Sequence, residues 1–477
     1  MKKIMNKKSV FKRIILVLLV MGVTMSCNDD DNDDVIMDGP LNITETAIAS
    51  SDLSNLVAAL IAAEGDLVNV LNGTGPFTVL APTNLAFQKF LTSKGFSSID
   101  DVPKSILSQI LLNHVISGSI KSSDLIAAGS GYAKTNANGA GEQKLDLFFD
   151  TSNGVKFNGV ATVTTANIEA TNGVIHVIDE VIDLPTIVTH AVANPNLSSL
   201  VGALTTGGNT TFTDLLSSAG DFTVFAPLNS AFSTFTNPTS NELNSILANH
   251  VIVGATALSG GLVNGYVNTA ATFNGTERNL SMYINTDNSM VTINGKSEVV
   301  KADIIATNGV IHVVDKVIDL PTVVDFAIAD PNFTSLVAAL TRSDLTFDFV
   351  GTLSTPIGTS PAPFTVFAPT NTAFTSLLTE LNFNSLSAIP EPTLKATLNH
   401  HAVAAANVRS TDLTDNMTVG TLGGNITANI TGGATLTDAN NRISKIIAVD
   451  VQASNGVIHV IDKVILPNLN YFLQLII

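Results

Sequence analysis

Apolar residues recur at i, i+3, i+4 and i+7 in three widely separated places. They are Leu53, Leu56, Val57, Leu60; Leu197, Leu200, Val201, Leu204; and Phe333, Leu336, Val337, Leu340. A stripe of this kind covers one face of a helix, so each predicts a helix laid against a core. Downstream of each stripe comes a β-prone run closed by proline: Phe77-Thr78-Val79-Leu80-Ala81-Pro82-Thr83-Asn84, Phe222-Thr223-Val224-Phe225-Ala226-Pro227-Leu228-Asn229, and Phe364-Thr365-Val366-Phe367-Ala368-Pro369-Thr370-Asn371. The proline ends a strand, and Thr or Asn offers an N-cap oxygen to a helix opening at Ala86-Phe87, Ala231-Phe232 or Ala373-Phe374. A further helix ends at Asn113-His114, Asn249-His250 and Asn399-His400. Beyond it, apolar and polar residues alternate between Gly/Asn turns, as in Gly154-Val155-Lys156-Phe157-Asn158-Gly159-Val160, which predicts hairpins.

The last strand-like segment makes the repetition explicit. Gly173-Val174-Ile175-His176-Val177-Ile178-Asp179 returns as Gly309-Val310-Ile311-His312-Val313-Val314-Asp315 and as Gly456-Val457-Ile458-His459-Val460-Ile461-Asp462. The intervals between the histidines are 136 and 147 residues, the size of a domain and not of a solenoid repeat. Three domains follow, at 41–185, 186–321 and 322–467, with a short tail at 468–477. Each ends at a Leu-Pro pair (Leu184-Pro185, Leu320-Pro321, Leu466-Pro467), and the next helix pattern begins within about a dozen residues, so a stiff string is expected. The third copy has a longer loop before its first strand, holding Pro356, Pro361 and Pro363, expected to be an exposed insertion.

Composition narrows the function. With 45% hydrophobic and 13% charged residues the chain has ample material for cores, which excludes general disorder. It has 23 Phe, 4 Tyr and no Trp, so its aromatic residues suit interiors better than stacking platforms. The net charge of −17 includes six basic residues in the first 26, and without that segment it is −23. Nucleic acid is therefore not an expected partner.

Residues 1–26 read as a signal peptide: a basic stretch ending at Arg13, then a short apolar run from Ile14 to Val23. Cys27 is the only cysteine, which rules out a disulfide within the chain. Its place after Thr24-Met25-Ser26 resembles a bacterial lipoprotein attachment site, with Thr24 where that pattern has Leu. The acidic run Asn28–Asp34 cannot pack, so residues 27–40 are expected to be a disordered tether. The run also resembles the export signal of surface lipoproteins in Bacteroidetes-type bacteria. The expected location is the outer membrane, with lipid on Cys27 as the only link to the membrane and the domains facing outward.

Together the two boxes, Thr-Val-Phe-Ala-Pro-Thr-Asn-x-Ala-Phe and Asn-Gly-x-Ile-His-Val-Ile-Asp, resemble those of the fasciclin-like family of extracellular adhesion domains. The resemblance covers residues 41 to about 467. It implies an α+β fold, a twisted, largely antiparallel β-wedge flanked by helices, together with a role in cell–cell or cell–matrix contact and no cofactor. In animal members a Tyr-His pair between the boxes is tied to integrin binding. Here Asn113-His114, Asn249-His250 and Asn399-His400 stand there, with His kept and Tyr replaced by Asn.

The histidines are the only candidates for reactive chemistry. Two imidazoles per repeat, with Asp179, Asp315 or Asp462 as a third ligand, would be needed to hold zinc. Strand alternation instead places His176, His312 and His459 on the face of Val174 and Ile178 and their counterparts, as buried, hydrogen-bonded structural residues. Catalytic motifs built on Ser, Cys, Gly-Lys or His-Glu spacings are absent. Asp124-Leu125 and Asp412-Leu413 resemble acidic-apolar turns by which family members touch partners, with Ala257-Leu258 read as the second repeat's counterpart. Candidate contact residues are thus Asn113, His114, Asp124, Asn249, His250, Asn399, His400 and Asp412. The expected function is non-enzymatic adhesion to an extracellular protein or polysaccharide, with no metal. The alternative is an accessory lipoprotein binding a ligand or polymer for uptake, which predicts a pocket on one domain, the divergent third.

Overall fold

The computed structural model describes residues 39–208, 210–287 and 290–468. The signal peptide, Cys27, most of the acidic tether and the tail beyond residue 468 lie outside the described residues. The rest is one α+β unit written three times.

In the first copy the strands are β1 (Phe77–Pro82), β2 (Val115–Ser117), β3 (Ser130–Asn138), β4 (Lys144–Asp150), β5 (Lys156–Phe157), β6 (Ala161–Ala170) and β7 (Gly173–Ile178). They close into a barrel in which β1 and β7, the two sequence boxes, lie side by side and parallel. The other ladders are antiparallel. The second copy runs β8 (Phe222–Pro227), β9 (Val251–Val253), β10 (Gly265–Thr272), β11 (Asn279–Asn285), β12 (Thr292–Ile293), β13 (Ser297–Ala306) and β14 (Gly309–Val314). The third runs β15 (Phe364–Pro369), β16 (Ala402–Ala404), β17 (Met417–Thr421), β18 (Gly424–Asn429), β19 (Thr435–Thr437), β20 (Ile443–Ala453) and β21 (Gly456–Ile461). Each again has a single parallel ladder, between its boxes.

That central pair is covered on both faces, which is why the boxes read as near-continuous apolar runs. Val79, Ala81 and Ile175 face a helical core with Leu56, Phe87 and Leu107, while Leu80 and Ile178 face a second core of hairpin residues such as Leu147 and Phe157. The predicted helix stripes lie in that helical core except for the half-buried Val201 and Val337, and begin on a 3-10 turn at Leu53, Leu197 and Phe333.

Thr and Asn after the box proline divide their labour. Thr83 and Thr370 accept from Ala86 N and Ala373 N (3.2 Å each), as N-caps should. Leu228 has no such oxygen and caps nothing. The Asn is already inside the helix and braces a neighbour instead. Asn84 accepts from Asn55 N and donates to Ser51 O, Asn229 does so with Ser199 and Pro195, and Asn371 with Ser335 and Pro331.

The Asn before each second box ties the unit together. Asn172 is buried; its amide donates to Leu71 O and Gly73 O, its side-chain oxygen accepts from Ile43 N (2.9 Å), and its carbonyl accepts from Phe77 N. Asn308 repeats this with Leu216, Ser218, Ile187 and Phe222, and Asn455 with Leu353, Thr355, Val323 and Phe364. One residue thus fixes the first helix and the loop before the first strand through its side chain, and the parallel pair through its carbonyl. The following glycine is obligatory because the strands approach so closely: a Cβ on Gly173 would lie 2.0 Å from Phe77 O.

The domains meet without a linker. Pro185 O accepts from Thr307 N, and Pro321 O from Ser454 N, so the residue closing one copy is already bonded inside the next. At the first junction Tyr132, beside Phe148, sets its ring edge-on to His190, and its hydroxyl accepts from Asn194. Asp146 accepts from Ile305 N at 2.6 Å. The second junction repeats the scheme: Tyr266, beside Tyr283, meets Phe326, its hydroxyl donates to Asp330, and Ser281 accepts from Gln452 N. In the third copy the proline-bearing segment 354–363 is twice the length of its first-copy counterpart, and Pro361 O and Pro363 O accept from Ala405 N and Ala406 N.

Replacing Asn308 by Ala strands two carbonyls and one N–H in a dry interior, and should cost the second domain about 3 kcal/mol or more. Urea denaturation followed by circular dichroism should show this as an early transition affecting about a third of the signal.

Candidate functional site

The Asn-His residues are not available to a partner. Asn113 and His114, and likewise Asn249 and His250, are buried with at most 2% exposure, which corrects their assignment as contact residues. His114 Nδ1 donates to Ile110 O (2.7 Å) and its Nε2 accepts from Ile182 N (2.9 Å). His250 does the same with Ile246 and Ile318. In the third copy this role falls to His401, between Thr397 O and Ile465 N, and not to His400. The equivalent pair is therefore His400-His401: His400 stands where the other copies have Asn, and is itself buried with Nδ1 on Ala396 O. Asn399 is only half-buried, one turn position earlier. The amides of Asn113 and Asn249 donate to Asp183 O and Asp319 O, fastening each helix end to the segment that leaves the domain.

The box histidines are fully buried, with the opposite tautomer. His176 Nε2 donates to Ile120 O, while Nδ1 accepts from Asn167 N; His312 pairs with Ala257 and Asp303, and His459 with Val408 and Asp450. The donors to Nδ1 all have positive φ, near 60°, at the bulge that shifts the register of β6, β13 and β20. Their side chains in turn accept from the backbone N of Ser122, Ser259 and Ser410. Asp179, Asp315 and Asp462, weighed above as metal ligands, accept from Thr162, Glu298 and Lys445 N across the sheet. Every ring nitrogen of these six histidines is thus committed to backbone. Among the described residues no three His, Cys, Asp or Glu are grouped to hold a metal ion.

Asp124 and Asp412 are exposed, and each also closes a turn by accepting from the backbone N of Lys121 or Arg409 (2.8 Å). The histidine contacts fix the register between copies: Ile120, Ala257 and Val408 correspond, so the second-copy counterpart of Asp124-Leu125 is Gly261-Leu262, not Ala257-Leu258. The second-copy turn is Ser259-Gly260-Gly261, with no side-chain acceptor where Asp124 and Asp412 stand.

Sequence reading passed over a different repeated surface. Ile48, Val192 and Ile328 occupy the same position of the first helix in each copy (Ile43–Ala49, Ile187–Ala193, Val323–Ala329) and are 50%, 63% and 63% exposed. Below that helix each copy has a small apolar cavity beside the buried histidine, of about 20, 80 and 30 Å³ in chain order. These are far below the several hundred Å³ of a ligand site. A shallow open groove of about 250 Å³ on the third copy runs between Thr334–Leu340 and Asn371–Glu380, over Phe374 and Leu378.

Burial holds the imidazoles of His114, His250 and His401 down to a pKa of about 4, because the charged form would lose its solvation and one of its two bonds. Since the folded value lies below the unfolded 6.5, the unfolded chain takes up protons first. The stability these groups contribute is complete above about pH 6.5 and is lost as pH falls toward 4, on the order of 3 kcal/mol per histidine. Denaturation midpoints measured from pH 7 to pH 4 should fall steadily through that window; a flat profile would contradict the buried neutral state.

The model of the Fasciclin domain matches residues 51–185, 195–321 and 331–467. Periostin of Homo sapiens is 27% identical over 443 residues, covering 88% of this chain and 46% of periostin. Transforming growth factor-beta-induced protein ig-h3 of Oryctolagus cuniculus is 28% identical over 454 residues, covering 92% of this chain and 59% of that protein. The chain thus spans about half the length of these relatives. Protein sll1483 of Synechocystis is 42% identical over 146 residues, 30% of this chain and 74% of its own. A solved FAS1 domain pair from the insect cell adhesion molecule Fasciclin I aligns at 22% identity with a TM-score of 0.37, over 56% of this chain and 97% of that one. With a fasciclin match on each of its three copies, the chain belongs to the fasciclin family.

Proposed function

We propose that this chain is a non-enzymatic adhesion protein, carried outside the cell on a lipid attached to Cys27, that holds an extracellular protein or polysaccharide through three weak contacts acting together. Fasciclin domains are known from cell-adhesion and extracellular-matrix proteins, and this supports the general reading. The observation that carries it is the threefold presentation of one surface. The first helix shows an exposed aliphatic residue in every copy, and the copies are joined without a linker, so their spacing is set by packed junctions. Three sites held at fixed spacing gain avidity without any one of them binding tightly. The histidines and most buried amides are spent on backbone hydrogen bonds, which suits a scaffold better than a reaction centre.

The uptake reading has one observation in its favour, the groove over Phe374 and Leu378 on the third copy. Titrating the intact protein with a glycan panel separates the two: uptake requires saturable binding at one site per chain, lost on Leu378→Asp, whereas adhesion does not depend on that residue.

For adhesion, cells displaying the protein should attach to their natural matrix or to one another. Ile48→Asp, Val192→Asp and Ile328→Asp should each weaken attachment a few-fold, and the triple variant should abolish it with unchanged circular dichroism. Full attachment by the folded triple variant would remove the first helix as the contact.

A further inference from the structure

The two junctions and the far end of the third domain carry the same positions with different residues. On each hairpin, cross-strand partners present a pair of side chains to whatever follows: Tyr132 opposite Phe148, Tyr266 opposite Tyr283, and Thr418 opposite Thr427. The first two pairs are the aromatic faces on which His190 and Phe326 of the following domain rest. The third offers two threonines and no ring, and Thr418 is exposed.

The neighbouring turn differs in the same sense. In the first two domains it is a tight Asn-Gly turn with no bulk above the glycine, and the next domain's first helix fills that space. A Cβ on Gly159 would lie 3.6 Å from Ala193 Cα, and one on Gly295 3.1 Å from Ala329 Cα. In the third domain seven residues, 437–443, replace the three of Asn158–Val160. This longer turn folds back over the departing chain. Arg442 grips both carboxylate oxygens of Glu380 (2.8 and 2.7 Å), Asp438 (2.9 Å) and Val464 O (2.9 Å). Asp438 also accepts from Leu466 N, and Asn440 donates to Pro467 O at 2.8 Å. In the matching Leu-Pro pairs, Pro185 O and Pro321 O accept instead from the following domain, through Thr307 N and Ser454 N. The third domain thus satisfies from within a carbonyl that the others leave for a successor.

The opposite face of the array is blunt as well. Thr46 holds the position of His190 and Phe326, and Glu169, paired with Lys121 at 2.8 Å, holds that of Ile305 and Gln452. A charged carboxylate there would lose its water and its partner under a docked hairpin.

We propose that head-to-tail stacking is specified by the aromatic pair and Asn-Gly turn on the hairpins of the first two domains, and that the third domain is a terminator whose Asp438–Arg442–Glu380 clasp refuses a further fasciclin domain. A second copy of this chain is therefore not accepted end to end, and contacts between molecules fall to the flanks. Such a head-to-tail contact, if open, would propagate into filaments, and polar end units are how stacked arrays avoid this.

The test writes the terminator into the first junction of the full chain. Tyr132→Thr with Phe148→Thr should open that junction: the radius of gyration from small-angle scattering rises, and proteases gain access between Leu184 and Thr189. Grafting residues 437–443 in place of Asn158–Val160 should do the same by steric exclusion, and serves if the double variant fails to fold. Tyr132→Phe with Phe148→Tyr keeps two rings and should stay closed. An unchanged scattering curve and cleavage pattern in both folded opening variants would overturn the proposal, as would opening by the ring-preserving variant.

Discussion

Everything in each domain hangs on the parallel pairing of its two boxes, and that pairing is possible only because an Asn-Gly step brings the second strand against the first. Parallel strands need a long crossover, here the whole run of helices and hairpins between the boxes. The chain must then be held at the place where its two ends meet. Asn172, Asn308 and Asn455 do this with side-chain hydrogen bonds to one loop and one helix terminus and with a backbone carbonyl that accepts from the first strand, in a setting where water cannot substitute. The glycine beside each removes the one atom that would block the approach.

The two histidines that recur in every domain extend the same logic. One, at the end of a helix, is held as the Nδ1–H tautomer between its own helix and the irregular segment that leaves the domain; the other, in the final strand, is held as the Nε2–H tautomer between a bulge and a loop. Imidazole suits both sites because, neutral, it is one donor and one acceptor on a flat apolar ring. That chemistry looks like a functional signature in a sequence and is in fact a way of joining backbone at helix ends, loops and bulges where the ladders are interrupted or absent.

The strand and helix order, the three copies and the one-sided helix stripes were legible because each rests on local periodicity and was repeated. Places where the copies differ were harder. Two consecutive histidines, His400 and His401, made the register of the third copy ambiguous by one residue, and only the bond to Ile465 N settles it. The counterpart of Asp124 was misplaced because glycines replace the acidic turn, leaving no polar marker at Gly261. The junctions were invisible for a different reason. Tyr132, Phe148, Tyr266 and Tyr283 sit in ordinary alternating strands, and nothing in a two-residue period says whether an outward ring meets water or another domain. Only comparison with Thr418 and Thr427 gives the rings meaning.

The proline that ends one domain and begins the next has a practical corollary for anyone dissecting the molecule. There is no neutral place to cut. Severing the chain at Pro185 leaves the first fragment with a naked Tyr132–Phe148 face and deprives the second of the lid over His190 and Ile305. Excised pieces would therefore be stickier and less stable than the intact chain, and binding observed with them would need checking against surfaces that the whole protein never shows.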